Sequence, residues 1–93
     1  MNVLSADEAR SGLSKLAGWQ IASGELVKTF QFADFVAALN FVNKVGDAAE
    51  AAGHHPDIDI RYNRVRLGLV THDAGGLTAK DFDLAGQADK LAG

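Results

Sequence analysis

The side chains of this chain that can move protons near neutrality are three histidines, His54, His55 and His72. An imidazole with an ordinary pKa of about 6.5 serves as acid or base at physiological pH. Glu50 stands one helical turn before His54, close enough to orient or charge a ring. Taken singly, such residues have plain structural readings. A histidine pair after a helix-ending glycine suits a helix C-terminus, and Asp81 suits a helix first turn. Convergence would change that reading. A hairpin turned at Asn63-Arg64 would set His72 opposite His55 and beside His54, where facing Cβ atoms lie about 4.5–5.5 Å apart. The helix that follows returns Asp81 to the same end of the sheet, so Glu50, His54, His55, His72 and Asp81 form one candidate constellation. Three histidines and a carboxylate also suit zinc, but neighbours in an extended segment point to opposite sides. His54 and His55 are therefore poorly placed to share an ion, which makes metal binding the weaker reading of these residues.

The elements that must position these residues follow from hydrophobic period and capping. Ser5 and Glu8 form a capping box for a first helix, expected from about Ala6 to Ala17, with Ala9, Leu13 and Leu16 on one face and Gly18 at its end. Trp19–Ile21 and Leu26–Phe32 read as strands joined at Ser23-Gly24. From Ala33 the period changes to three and four, through Phe35, Ala38, Leu39, Val42, Val45, Ala49 and Ala52. Gly53 ends this second helix and Pro56 prevents its resumption. Ile58, Ile60 and Tyr62, then Val65, Leu67 and Leu69, alternate with polar residues or glycine, as two strands with one apolar face each. Asp73–Gly76 is a loop, and Thr78 caps a third helix carrying Phe82, Ala85, Ala88 and Leu91. The order α-β-β-α-β-β-α predicts an α+β fold, a four-stranded antiparallel sheet with three helices packed on one face.

Composition narrows the function classes. The chain is 47% hydrophobic and 23% charged, near the globular averages of about 45–50% and about 25%, so one folded domain over 1–93 is expected. A domain this small gains from burying surface against copies of itself. Nine basic against twelve acidic residues give a formal charge of −3, the opposite of a nucleic-acid footprint. No cysteine is present, which removes disulfides, thiolate nucleophiles and Cys-ligated metals and fits a cytoplasmic protein. The apolar run Phe35–Leu39 is far short of the about 18–20 residues a membrane span needs. No basic n-region precedes it, so no secretory signal is expected.

The pattern Glu50-x₃-His54-His55-Pro56-x₅-Tyr62-x₉-His72-x₈-Asp81 resembles the signature of the pterin-4a-carbinolamine dehydratases, also called 4a-hydroxytetrahydrobiopterin dehydratases. Gly18-Trp19, Phe30-x-Phe32-x-x-Phe35 and Leu77-Thr78-x-x-Asp81 extend the resemblance over nearly the whole chain. It implies a hydro-lyase that removes water from 4a-hydroxytetrahydrobiopterin in tetrahydrobiopterin recycling, without cofactor or metal.

By the same resemblance, His54 and His72 are the acid–base residues on opposite sides of the pterin, with His55 catalytic but mainly binding and orienting the substrate. Asp81 would hold an imidazole tautomer or a pterin nitrogen, Glu50 would support, and Pro56 and Ile58 would line the substrate. Many relatives carry an aromatic residue where this chain has Ile58, so apolar contact replaces ring stacking there. Dimers or tetramers are implied. So, as an alternative, is a non-catalytic partner-binding module, since animal members are dimerisation cofactors of a homeodomain transcription factor.

Overall fold

A computed structural model describes residues 2–93 of the protein. Its elements are α1 (Ala6–Leu13), β1 (Gln20–Ala22), β2 (Glu25–Gln31), α2 (Phe35–Ala52), β3 (Asp57–Arg61), β4 (Arg64–Leu69), a 3₁₀ turn (His72–Ala74) and α3 (Ala79–Leu91). The strands form one four-stranded antiparallel sheet, as the sequence pattern predicts, and their order in it is β1-β2-β4-β3. Among the described residues no helix is long and apolar enough to cross a membrane.

Strand alternation assigns the two faces of the sheet. Leu26, Phe30, Val65, Leu67 and Leu69 point inward and are buried against Ala38, Phe41, Val45 and Ala49 of α2 and Leu84, Ala85 and Ala88 of α3. The opposite face carries Thr29, Asp59, Arg61, Arg64 and Arg66. Polar side chains, rather than a second layer, finish that side of the fold.

Three local expectations change. α1 stops at Leu13 instead of Ala17, because Lys15 and Leu16 donate to Gly12 and Leu13 in i→i−3 bonds that tighten the chain out of α geometry. Ser11, Gly12 and Ser14 are weak helix formers, and the exposed Ser14 hydroxyl donates to the Ser11 carbonyl, a local bond that competes with the helix. Leu16 still packs on the core. In α2 the buried residues are Ala38, Phe41, Val45 and Ala49, while Phe35 and Leu39 are exposed. Phe41 decides this rotation, since its ring lies 4.8 Å from Phe30 and 4.9 Å from Phe32, centroid to centroid.

The third change bears on the site. The β3–β4 turn is Tyr62-Asn63, not Asn63-Arg64: Tyr62 takes the positive φ of 52°, and Ile60 rather than Tyr62 faces Val65. The Asn63 side-chain amide donates to the Phe32 carbonyl, tying the turn to the end of β2. A slip of two residues keeps every side chain on its expected face. It also removes the direct pairing of His55 with His72, because the ladder ends at Asp57 and Gly68.

The first strand is fastened to the far end of α3. Trp19 Nε1 donates to both oxygens of Asp89 at 3.1 Å, and Lys28 Nζ donates to Asp89 and to the Ala17 carbonyl. This clamp holds the C-terminal half of α3 on the sheet and leaves its N-terminus to be fixed at the opposite end.

Two outcomes check this account of stability. Leu67→Ala in central β4 lowers unfolding free energy by about 2–5 kcal/mol in urea titration, as a buried large-to-small change does. Gly53→Ala, where a Cβ meets open space but φ is +63°, lowers it by about 1–2 kcal/mol from backbone strain alone.

Candidate functional site

His54 is placed by the way α2 ends. Gly53 adopts the left-handed conformation, its amide donates to Glu50, and the amide of His54 donates back to Ala49, which together close a Schellman motif. The chain leaves the helix with His54 turned inward, 8% exposed, and His55 turned outward. The expected opposition of adjacent residues is therefore present.

His72 is placed by a pinched loop. Thr71 and Gly76 pair as an isolated bridge, the amides of Ala74, Gly75 and Gly76 donate to the Thr71 carbonyl, and Gly75 supplies a φ of 82°. His72 rides on this turn, above Thr71, at the C-terminal end of β4.

Asp81 is placed by the start of α3. Thr78 is the N-cap, accepting from the Lys80 amide, while the Asp81 carboxylate accepts from the Thr78 amide at 2.9 Å. A capping-box carboxylate is ordinarily half-solvated. This one is fully buried, with Oδ1 lying 2.5 Å from His54 Nε2 and Oδ2 accepting from the Thr71 hydroxyl at 2.9 Å. The Thr71 and Thr78 hydroxyls are 2.8 Å apart. Thus α2, β4 and α3 meet through one carboxylate, and no buried side-chain polar atom among the described residues lacks a partner.

The three imidazoles line one cavity of about 250 Å³, together with Thr71, Asp73 and Lys80. Loop geometry, not strand pairing, brings His72 there. Glu50 also meets an imidazole, but the ring is that of His55, 2.8 Å away on the exposed rim, rather than that of His54 one turn on. His54 has left the helical path, so the i,i+4 relation does not hold. Asp81, Pro56 and Ile58 lie outside the cavity lining. Asp81 meets the imidazole, and its burial leaves no oxygen open to a ligand. Ile58 faces Leu67 on the helix side of the sheet edge. Among the described residues no group of three His, Asp or Glu side chains is arranged to hold a metal ion.

No sequence motif singles out Thr71, Asp73 or Lys80. Thr71 carries a signal nonetheless: it continues the inward series Val65, Leu67, Leu69, and a polar residue on a buried face requires a partner.

The family model described as pterin 4 alpha carbinolamine dehydratase matches residues 2–91. A protein of Acidobacterium capsulatum is 63% identical over 85% of this chain and 86% of its own length. One of Chloroflexus aurantiacus is 57% identical over 97% of both. Each bears the name "Putative pterin-4-alpha-carbinolamine dehydratase". Among solved structures, a transcriptional coactivator/pterin dehydratase from Brucella melitensis matches with a TM-score of 0.96 and 34% identity, covering 99% of this chain and 100% of that one. A pterin dehydratase-like protein identified as a RuBisCO assembly factor in the alpha-carboxysome matches with a TM-score of 0.67 and 25% identity, over 81% and 87%. Agreement of sequence over nearly the full length, and of fold, shows that this chain belongs to the pterin 4 alpha carbinolamine dehydratase family.

Proposed function

We propose that the protein dehydrates a 4a-hydroxytetrahydropterin to the quinonoid dihydropterin and water. The observation that carries this reading is the opening of three imidazoles, each in different surroundings, onto one cavity. The reaction breaks the C4a–O bond and forms a C=N bond to the neighbouring ring nitrogen. An acid must deliver a proton to the departing hydroxyl, and a base must remove the nitrogen's proton, so a pair of imidazoles balances both transfers.

In this reading His54 and His72 act as the acid–base pair. Their settings suit different duties, because His54 is buried and backed by Asp81 while His72 is exposed on its turn. His55, with Glu50 behind it at the rim, contacts and orients the pterin and completes the catalytic set. The recycling of tetrahydrobiopterin in the cytoplasm is the process this activity would serve. Self-assembly belongs to the same proposal, with Phe35, Val36 and Leu39 on the exposed side of α2 as the contact between copies. A partner-binding role is the second reading, favoured by that same apolar face. It predicts that a bound partner, not turnover, responds to changes there.

Turnover is read by adding chemically generated 4a-hydroxytetrahydropterin and following quinonoid absorbance. A rate well above buffer is expected, and a folded protein giving only the buffer rate would overturn the proposal. His72→Ala lowers kcat by about 10²–10⁴-fold with an unchanged melting curve. His54→Gln, which keeps an N–H for Asp81, lowers kcat similarly, and the double variant lowers it further. His54→Ala also loses about 1–3 kcal/mol of stability, because it strips a donor from a buried carboxylate. Sedimentation is expected to give a dimer or tetramer, shifted to smaller species by Val36→Glu.

A further inference from the structure

The hydroxyls around Asp81 have only one consistent direction of donation. A carboxylate has no proton to give, so the contact between Thr71 Oγ1 and Asp81 Oδ2 uses the Thr71 proton. Thr71 then has only lone pairs left, and its contact with Thr78 uses the Thr78 proton. Thr78 in turn accepts from the Lys80 amide. The chain therefore runs from the start of α3 through Thr78 and Thr71 into Oδ2. On the other oxygen the same logic places the ring proton of His54 on Nε2. In the neutral ring this leaves the lone pair on Nδ1. That atom has no protein partner among the described residues, yet it is not sealed off as a buried unsatisfied atom, and the ring lines the cavity.

We propose that Thr71 is a positioning residue which, acting through Asp81, holds His54 in the Nε2–H tautomer and so presents Nδ1 as the proton-accepting atom of the site. Thr71 makes no hydrogen bond to His54 and reaches it through the shared carboxylate. Its hydroxyl joins the Thr78 amide on Oδ2, so that Oδ1 is left to the ring and the plane of the carboxylate is set by two donors instead of one. Thr71 is also the base of the loop that carries His72, so one residue meets the settings of both candidate acid–base rings, His54 through its hydroxyl and Asp81, His72 through its backbone. The catalytic part of this inference rests on the dehydratase reading; the tautomer part does not.

The test uses the full chain labelled with ¹⁵N, with the His54 ring signals assigned by their loss in His54→Gln. In the unaltered protein at a pH where the ring is neutral, the ¹⁵N shifts are expected to show protonated Nε2 and unprotonated Nδ1. A proton on Nδ1 overturns the proposal whether or not any variant folds. Thr71→Val is expected to give a mixture of tautomers and a fall in kcat of tenfold or more, with KM changed less than twofold. Thr71→Ser, which restores the hydroxyl, recovers most of the loss. A merely structural Thr71 would change the melting curve but leave the ring shifts and kcat alone, and that result also overturns the proposal. Should the unaltered protein show no dehydratase turnover, the functional reading fails, while the ring shifts of the unaltered and Thr71→Val proteins still decide the tautomer.

Discussion

A carboxylate entirely removed from water is the constraint around which this fold is arranged. Asp81 is 0% exposed, and such a group is tolerated only where its oxygens are met by donors. The donors come from three directions: the Thr78 amide from its own helix, the Thr71 hydroxyl from the end of β4, and the His54 ring from beyond α2. None of the three can shift without leaving the carboxylate short. The sheet and helices supply the bulk of the burial, but this junction fixes how their ends meet, and the cavity lies beside it.

Placement of the three rings then follows from ordinary backbone devices. A Schellman turn at Gly53 turns one histidine in and the next one out, and a loop pinched between Thr71 and Gly76 lifts the third beside them. The Trp19–Asp89–Lys28 clamp works from the opposite end of α3, so that the helix is held at both termini. Rigidity at the site is thus distributed through the fold rather than supplied by the site residues alone.

Much of this is legible from local sequence. Ser5 with Glu8, Thr78 with Asp81, Ser23-Gly24 and Gly53 each announce a boundary through chemistry within four residues. What is not legible depends on distant partners. α2 has apolar residues on more than one side, and only the rings of Phe30 in β2 and Phe32 just beyond it select Phe41 over Leu39 as the inward residue. The β3–β4 turn depends on Asn63 reaching the Phe32 carbonyl, which no hairpin rule contains. Glu50 meets His55 rather than His54 because the left-handed residue between breaks the helical spacing. The three histidines converge even though the β3–β4 register lies two residues from the one the sequence predicts. That slip leaves the faces of the strands unchanged, and the loop makes up the remaining distance.

The bridge between Thr71 and Gly76 has a further effect on how the molecule can vary. It closes His72 to Gly75 into a small ring whose internal amides return to Thr71, not to the sheet. Asp73 and Ala74 are therefore mechanically insulated from the strands, yet Asp73 borders the cavity. Side chains at these two positions can be exchanged with little consequence for the β-ladder. The rim of the cavity can thus diversify while the buried junction beneath it stays fixed.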